Sequence, residues 1–203
     1  FSFNATTSKK WESSWFIDGP LCLLTELTIR EAVNFDLSLL AHLPRTLTRL
    51  HVSEVNEAGP IRTIKAESIW GLPRSLTRMW MSVPSRLDPA LATTHLSDPN
   101  NTPFPPSLVA LRLPYTEFSL HMAHILPRRL KKLKVRNLHF DAQSADQLQL
   151  LPRNLRVLVG QFAWVNADLL DKLPPHVTLL TDYHLYGILE KKVSQHRSDE
   201  FDF

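Results

Sequence analysis

The sequence predicts an α/β solenoid: about seven irregular units, a parallel sheet on the concave side and short helices on the convex side. Three observations predict it. The tripeptide Leu-Pro-Arg recurs at Leu43-Pro44-Arg45, Leu72-Pro73-Arg74, Leu126-Pro127-Arg128 and Leu151-Pro152-Arg153. Apolar residues follow each proline at the third, sixth and usually the eighth position, giving the unit P-x-x-L-x-x-L-x-V. Between one such run and the next proline, apolar residues return at helical spacing. One such unit cannot bury its apolar face alone, so a chain built from it must stack its units side by side.

The elements follow in chain order. Residues 1–20 begin polar and turn aromatic at Trp11, Trp15 and Phe16, which predicts a disordered lead and then an N-terminal cap over the first unit. Leu24, Leu27 and Ile29 form a first copy without its proline. The clear copies are Pro44/Leu47/Leu50/Val52, Pro73/Leu76/Met79/Met81 and Pro127/Leu130/Leu133/Val135. Weaker ones are Pro105/Leu108/Leu111/Leu113, Pro152/Leu155/Leu158 and Pro174/Val177/Leu180. Proline fixes φ and lacks an N–H, so it suits the start of a strand rather than its middle. The alternating L-x-L or L-x-V is the pattern of a half-buried strand.

The segments before Pro44, Pro152 and Pro174 carry apolar residues at i, i+3 and i+4, which predicts short helices. Ser144 and Asn166 are placed as their N-caps in the last two. Successive prolines stand 29, 32, 22, 25 and 22 residues apart. The longer intervals imply insertions, and residues 84–106, rich in Pro, Ser, Thr, Asp and Asn, read as a loop. The array spans residues 21–182, and 183–203 form a C-terminal cap and a polar tail from Ser194 onward.

This pattern resembles the leucine-rich-repeat family over residues 21–182. In its L-P-x-x-L-x-x-L-x-V form it is similar to the proline-starting repeats of bacterial effector proteins and to FNIP-type repeats. The family usually carries an asparagine column shortly after the strand. Here Asn34, Asn56 and Asn137 are scattered. The resemblance implies a curved, right-handed solenoid that binds other macromolecules. It implies no chemistry, because function differs from member to member.

Composition bounds the function classes. With 203 residues, 43% hydrophobic and 21% charged, the chain has the makeup of one globular domain or one repeat array. No run approaches the roughly 18–20 apolar residues that a membrane span requires. The net charge of +3 does not by itself point to nucleic acid. A chain that opens on Phe1 rather than Met is expected to be a processed product or a piece of a longer protein. The single cysteine, Cys22, points to a reducing compartment and, among leucines, to a small core residue. The sequons Asn4-Ala5-Thr6 and Asn100-Asn101-Thr102 leave a secreted or lumenal setting open.

Nothing in the sequence assembles a catalytic or cofactor site. Five glycines form neither a dinucleotide fingerprint nor a phosphate-cradling loop. His121 and His124, three apart, suggest half of a metal site, but no carboxylate or cysteine nearby completes it, so two solvent-facing imidazoles are the simpler reading. Asp168, Asp171 and Asp182 read better as including a first-turn helix acid than as paired catalytic carboxylates. The chain is therefore expected to have no enzymatic activity, cofactor or metal.

The basic residues carry the functional signal. If the apolar positions point inward, those at +5, +7 and +9 from each proline point out from the sheet. They are Glu26, Thr28, Arg30, Arg49, His51, Ser53, Arg78, Trp80, Ser82, Ala110, Arg112, Pro114, Lys132, Lys134 and Arg136. The last two copies add Val157, Val159, Gln161, Leu179, Thr181 and Tyr183. Seven of these are Arg or Lys and one is acidic. The expected partner-binding residues are Arg49, His51, Arg78, Trp80, Arg112, Lys132, Lys134 and Arg136, with Trp80 exposed among the cations. Arg and Trp are enriched at interface hot spots. The expected partner is another protein with an acidic surface. A nucleic acid, or packing as a subunit of a larger assembly, are the alternatives, and a merely solvated face is the plain one.

Overall fold

The computed structural model describes residues 2–6, 21–32, 35–54, 60–93, 102–139, 147–162 and 172–181. Its backbone is a parallel-sheet solenoid. The main sheet runs β1 (Ser2–Thr6), β2 (Glu26–Ala32), β3 (Arg49–Glu54), β5 (Arg78–Ser82), β7 (Ala110–Leu113), β9 (Lys132–His139), β10 (Val157–Phe162) and β11 (Thr178–Thr181), every neighbouring pair parallel. A repeating solenoid architecture, with seven main strands from β2 to β11 among the described residues, is thus present in the strand order itself.

The registers bring the ladder residues side by side. Leu27, Leu50, Met79, Leu111, Leu133 and Leu158 pair in one row across the sheet. All six are buried, as are Ile29, Val52, Met81, Leu113 and Val135 two residues on. In the last unit the proline count slips by one: Leu158 pairs with Leu179, not Leu180. Leu179 is buried with Val177 in the core. Leu179, expected to face outward, therefore takes the ladder place expected for Leu180.

Each proline opens a turn rather than the strand itself. The Pro44 carbonyl accepts from the Leu47 N–H at 3.0 Å, and the same bond recurs from Pro73, Pro105, Pro127, Pro152 and Pro174 to the residue three on. Leu21 stands in the proline position of the first unit, accepting from Leu24 at 3.1 Å. The residue before the proline is extended, with φ −61° and ψ 146° at Leu43 and φ −74° and ψ 140° at Leu126. Proline disfavours the helical region for its predecessor, so each helix stops there.

The convex side differs from expectation in two respects. Most of its helices are 3-10: Leu37–His42, Pro89–Thr93, Leu120–Ile125 and Leu148–Leu150. An α-helix described in full is α1 (Ala66–Trp70). The 3-10 helices run three to six residues, the length at which the tighter helix is common. The second difference is a short strand after the main one in three units: β4 (Arg62–Ile64), β6 (Ser85–Leu87) and β8 (Thr116–Ser119) pair in parallel, and β8 joins the far end of β9. Ile64, Leu87 and Phe118 turn inward from them. Within 84–106, expected as a loop, Ser85–Leu87 and Pro89–Thr93 are thus ordered repeat structure, and Phe104 is buried in the core.

At the N-terminus, within the expected disordered lead, Ser2–Thr6 form β1 against β2. An open sheet edge offers unpaired N–H and C=O groups to any nearby extended segment. The expected caps at Ser144 and Asn166, the acids Asp168, Asp171 and Asp182, the aromatic cap at 11–16 and the C-terminal cap at 183–203 lie outside the described residues. The cap that is seen is Asp36, whose Oδ1 accepts from the Ser38 N–H at 2.9 Å.

Neighbouring units are stapled by a hydroxyl column two residues after the proline. The Ser75 hydroxyl reaches the Arg45 and Leu47 carbonyls of the preceding turn, at 2.6 and 2.7 Å. Ser107 does the same to Arg74 and Leu76, and Thr46 to Cys22 and Leu24. Asn154 continues the column to the Arg128 carbonyl at 2.8 Å. These bonds tie neighbouring turns together. They also correct the expectation for Cys22: it rides this turn half-exposed, while Leu21 and Leu24 take the inward positions.

A partly buried charge pair braces the first and second units. Glu54, its side chain 7% exposed, binds Arg62, accepts from the Phe35 N–H at 2.7 Å, and Arg62 in turn donates to the Phe35 carbonyl at 2.6 Å.

Candidate functional site: the outward face of the main sheet

The strand registers turn residues distant in sequence into two rows. The first pairs Glu26, Arg49, Arg78, Ala110, Lys132 and Val157 in order across the sheet. The second pairs Thr28, His51, Trp80, Arg112, Lys134 and Val159. Neighbouring strands are about 4.8 Å apart, so residues more than twenty positions apart in the chain become near neighbours. Arg49, Arg78, Arg112, Lys132 and Lys134 come together here. Arg136 belongs to β9 at the place where the pairing with β10 shifts register, and its side chain lies outside the described residues.

Charge on this face is one-sided. Among the described outward positions the carboxylate is Glu26, and it pairs with Arg49 at 3.0 Å, both side chains half-exposed. An ion pair so open to water contributes only about 0–1 kcal/mol. The other charged residues at the described outward positions, Arg30, Arg78, Arg112, Lys132 and Lys134, are all basic.

The second row is a stack. The His51 and Trp80 rings lie parallel, centroids 3.8 Å apart with an interplanar angle of 8°. On the other neighbouring strand the Arg112 guanidinium carbon sits 4.2 Å from the Trp80 centroid. Trp80 is therefore not the exposed indole expected from the sequence: it is half-buried between an imidazole and a guanidinium. A parallel sheet in register places identical row positions one above another, and flat side chains there stack with little loss of rotamer freedom. Lys134 at the next place is buried, held at 9% exposure.

His51 is kept neutral. Burial, then the positive charges of Arg30 and Arg112, lower its pKa from 6.5 to about 4. Desolvation and like charge both disfavour the protonated ring. The row thus carries its positive charge on Arg112 and Lys134.

The other candidate residues stay apart from this face. His121 and His124 are occupied within their own helix: His121 Nδ1 meets the Ser119 hydroxyl at 2.6 Å and His124 Nδ1 the His121 carbonyl at 2.7 Å. Among the described residues no group of three or more His, Cys, Asp or Glu is placed to hold a metal ion. No helix among them is long and apolar enough to cross a membrane. Sequence reasoning missed the stack, although its signal was present: His51, Trp80 and Arg112 occupy the same +7 position of three successive copies.

Comparison with known proteins yields one structural likeness. The leucine-rich repeat-containing protein LegL7 from Legionella pneumophila is similar over 89% of this chain, with a TM-score of 0.45 and 14% identity, and this chain covers 63% of that one. No protein-family model matches the chain, and no curated protein does.

Proposed function

We propose that this chain is a non-catalytic protein–protein recognition module of the proline-starting leucine-rich-repeat type, binding an acidic partner surface through the outward face of its main sheet. The observation that carries the reading is the register, which sets Arg49, Arg78, Arg112, Lys132 and Lys134 side by side on four adjacent strands. Clustered positive charge raises the association rate with an acidic partner and makes it fall with salt. Among the described residues no group of three or more His, Cys, Asp or Glu lies beside it. Trp80, with a ring or guanidinium on each side, has no face left to stack a base, which sets nucleic acid behind protein as the partner.

Equilibrium binding of labelled poly-L-glutamate to wild type and to the Arg78→Glu/Arg112→Glu variant tests the reading. The wild type is expected to bind, more weakly as salt rises, and the variant to lose binding while still unfolding cooperatively. Equal binding by both proteins would show the face to be merely solvated.

A further inference from the structure

We propose that the strand-entry edge of the units opened by Pro127 and Pro152 is a second binding surface, separate from the outward sheet face, and that it holds the phosphate backbone of a nucleic-acid duplex without reading its bases. Three observations lead to it.

First, the fold gathers five cations on two adjacent turns. The Pro127 carbonyl accepts from the Leu130 N–H at 3.0 Å, and the Pro152 carbonyl from the Leu155 N–H at 2.8 Å. Arg128 and Arg129 are therefore the two corner residues of one turn, and Arg153 is the first corner of the next. Lys131 and Arg156 follow at the strand entries, where the Arg156 N–H donates to the Lys131 carbonyl at 2.8 Å. The Asn154 side chain ties the second turn to the Arg128 carbonyl, also at 2.8 Å. The turns thus lie one strand spacing apart, about 4.8 Å. All five basic side chains are exposed.

Second, this charge is not neutralised where it stands. Arginines of earlier units are engaged: Arg49 pairs with Glu26, Arg62 with Glu54, and Arg74 donates to the Thr102 carbonyl. Among the described residues from Pro127 to Thr181 there is no Asp or Glu. Asp141, Asp146, Asp168 and Asp171 lie outside the described residues, and over the whole stretch nine Lys or Arg stand against these four acids, so its net charge is positive in any case. Like charges one strand spacing apart repel, and an anion laid across them removes that repulsion.

Third, the side chains select the kind of anion. Four of the five cations are arginines, whose planar fork matches the oxygens of a phosphate. No aromatic side chain is described on either turn, so a single strand would find no platform on which to stack its bases. Leu150, 45% exposed, is the large exposed apolar residue described in these units. One such side chain is too little for the buried centre of a protein interface or for insertion into a membrane. A duplex keeps its bases inside and presents phosphates, and contact with its backbone requires only charge.

The test uses the full chain and a fluorescein-labelled DNA duplex of mixed sequence, followed by anisotropy over a range of salt. Binding of labelled octaglutamate and the melting temperature are measured for every variant alongside. Arg128→Ala/Arg153→Ala is expected to weaken duplex binding about ten-fold or more, and to lower the slope of log affinity against log salt by about two. Lys65→Ala/Arg86→Ala, which removes two exposed cations from other units, is expected to stay within about two-fold of wild type. Octaglutamate binding is retained in both. Equal losses of duplex binding in the two double variants would show attraction by net charge alone and overturn the site. Tighter binding of a single strand of equal charge, or of phosphatidylserine vesicles, would overturn the duplex as ligand. Loss of octaglutamate together with the duplex in Arg128→Ala/Arg153→Ala would overturn the separation of the two surfaces. A wild type that binds octaglutamate but no duplex overturns this proposal and leaves the protein-recognition reading standing.

Discussion

Leu133→Ala tests the inward register at its most central point. Leu133 is 0% exposed and pairs with Leu111 on one side and Leu158 on the other. The substitution removes three carbons from a site walled by neighbouring units. At about 0.8 kcal/mol per buried carbon the transfer term alone is roughly 2.4 kcal/mol. A parallel ladder cannot close over the gap without moving two adjacent strands, so a cavity term adds to it and the total lies at about 3–5 kcal/mol. Lys131, two residues earlier and exposed, is the control, and its alanine variant stays within about 0.5 kcal/mol. Urea denaturation followed by far-ultraviolet circular dichroism reads both. The expected result is a large drop in midpoint for Leu133→Ala with the slope unchanged. Equal midpoints for the two variants would mean that the apolar rows do not face inward.

Four further outcomes follow from particular contacts. Ser75→Ala removes the hydroxyl that ties two turns together and is expected to cost about 1 kcal/mol, while Ser75→Thr, the residue used at position 46, is near neutral by the same denaturation. Glu54→Ala strands Arg62 and the Phe35 N–H, and a loss of about 3–5 kcal/mol in the midpoint analysis is expected; a loss under 1 kcal/mol would show the pair to be solvated. Gly71→Ala forces a methyl to within 2.6 Å of the Ala41 Cα, so the contact between α1 and the preceding 3-10 helix must open, and the melting temperature falls although φ at this site, −75°, suits any residue. The fourth concerns pH. Since the folded pKa of His51, about 4, lies below its ordinary 6.5, the unfolded chain binds the proton more readily between those values. Stability from this group is complete above pH 6.5 and is lost as pH falls toward 4. His51→Gln should flatten that part of the pH–stability curve, and an imidazole resonance titrating near 6.5 in the folded protein would contradict it.

The ladder was legible because leucine burial repeats at fixed offsets from proline, and burial depends on little beyond side-chain type and strand alternation. The two outward rows were legible for the same reason: once Leu50, Met79 and Leu111 point in, His51, Trp80 and Arg112 must share the other face. What the row does was less so. Stacking depends on ring orientation and strand spacing, which no single copy reveals. The hydroxyl column was hidden because Thr46, Ser75, Ser107 and Asn154 are four residues of three kinds, joined only by hydrogen bonding. The short strands β4, β6 and β8 have three or four residues each, too few for alternation to show. The slip at Leu179 arises from a residue count between proline and strand that shortens by one, with leucines at both candidate positions.

An amide-resolved NMR titration of the full chain with octaglutamate tests most directly whether the outward basic face is the binding surface. Shifts concentrated on β3, β5, β7 and β9 and fading as salt is raised are the predicted result. Shifts centred on the 3-10 helices of the opposite side, or none at peptide concentrations that saturate the labelled-peptide assay, would contradict it.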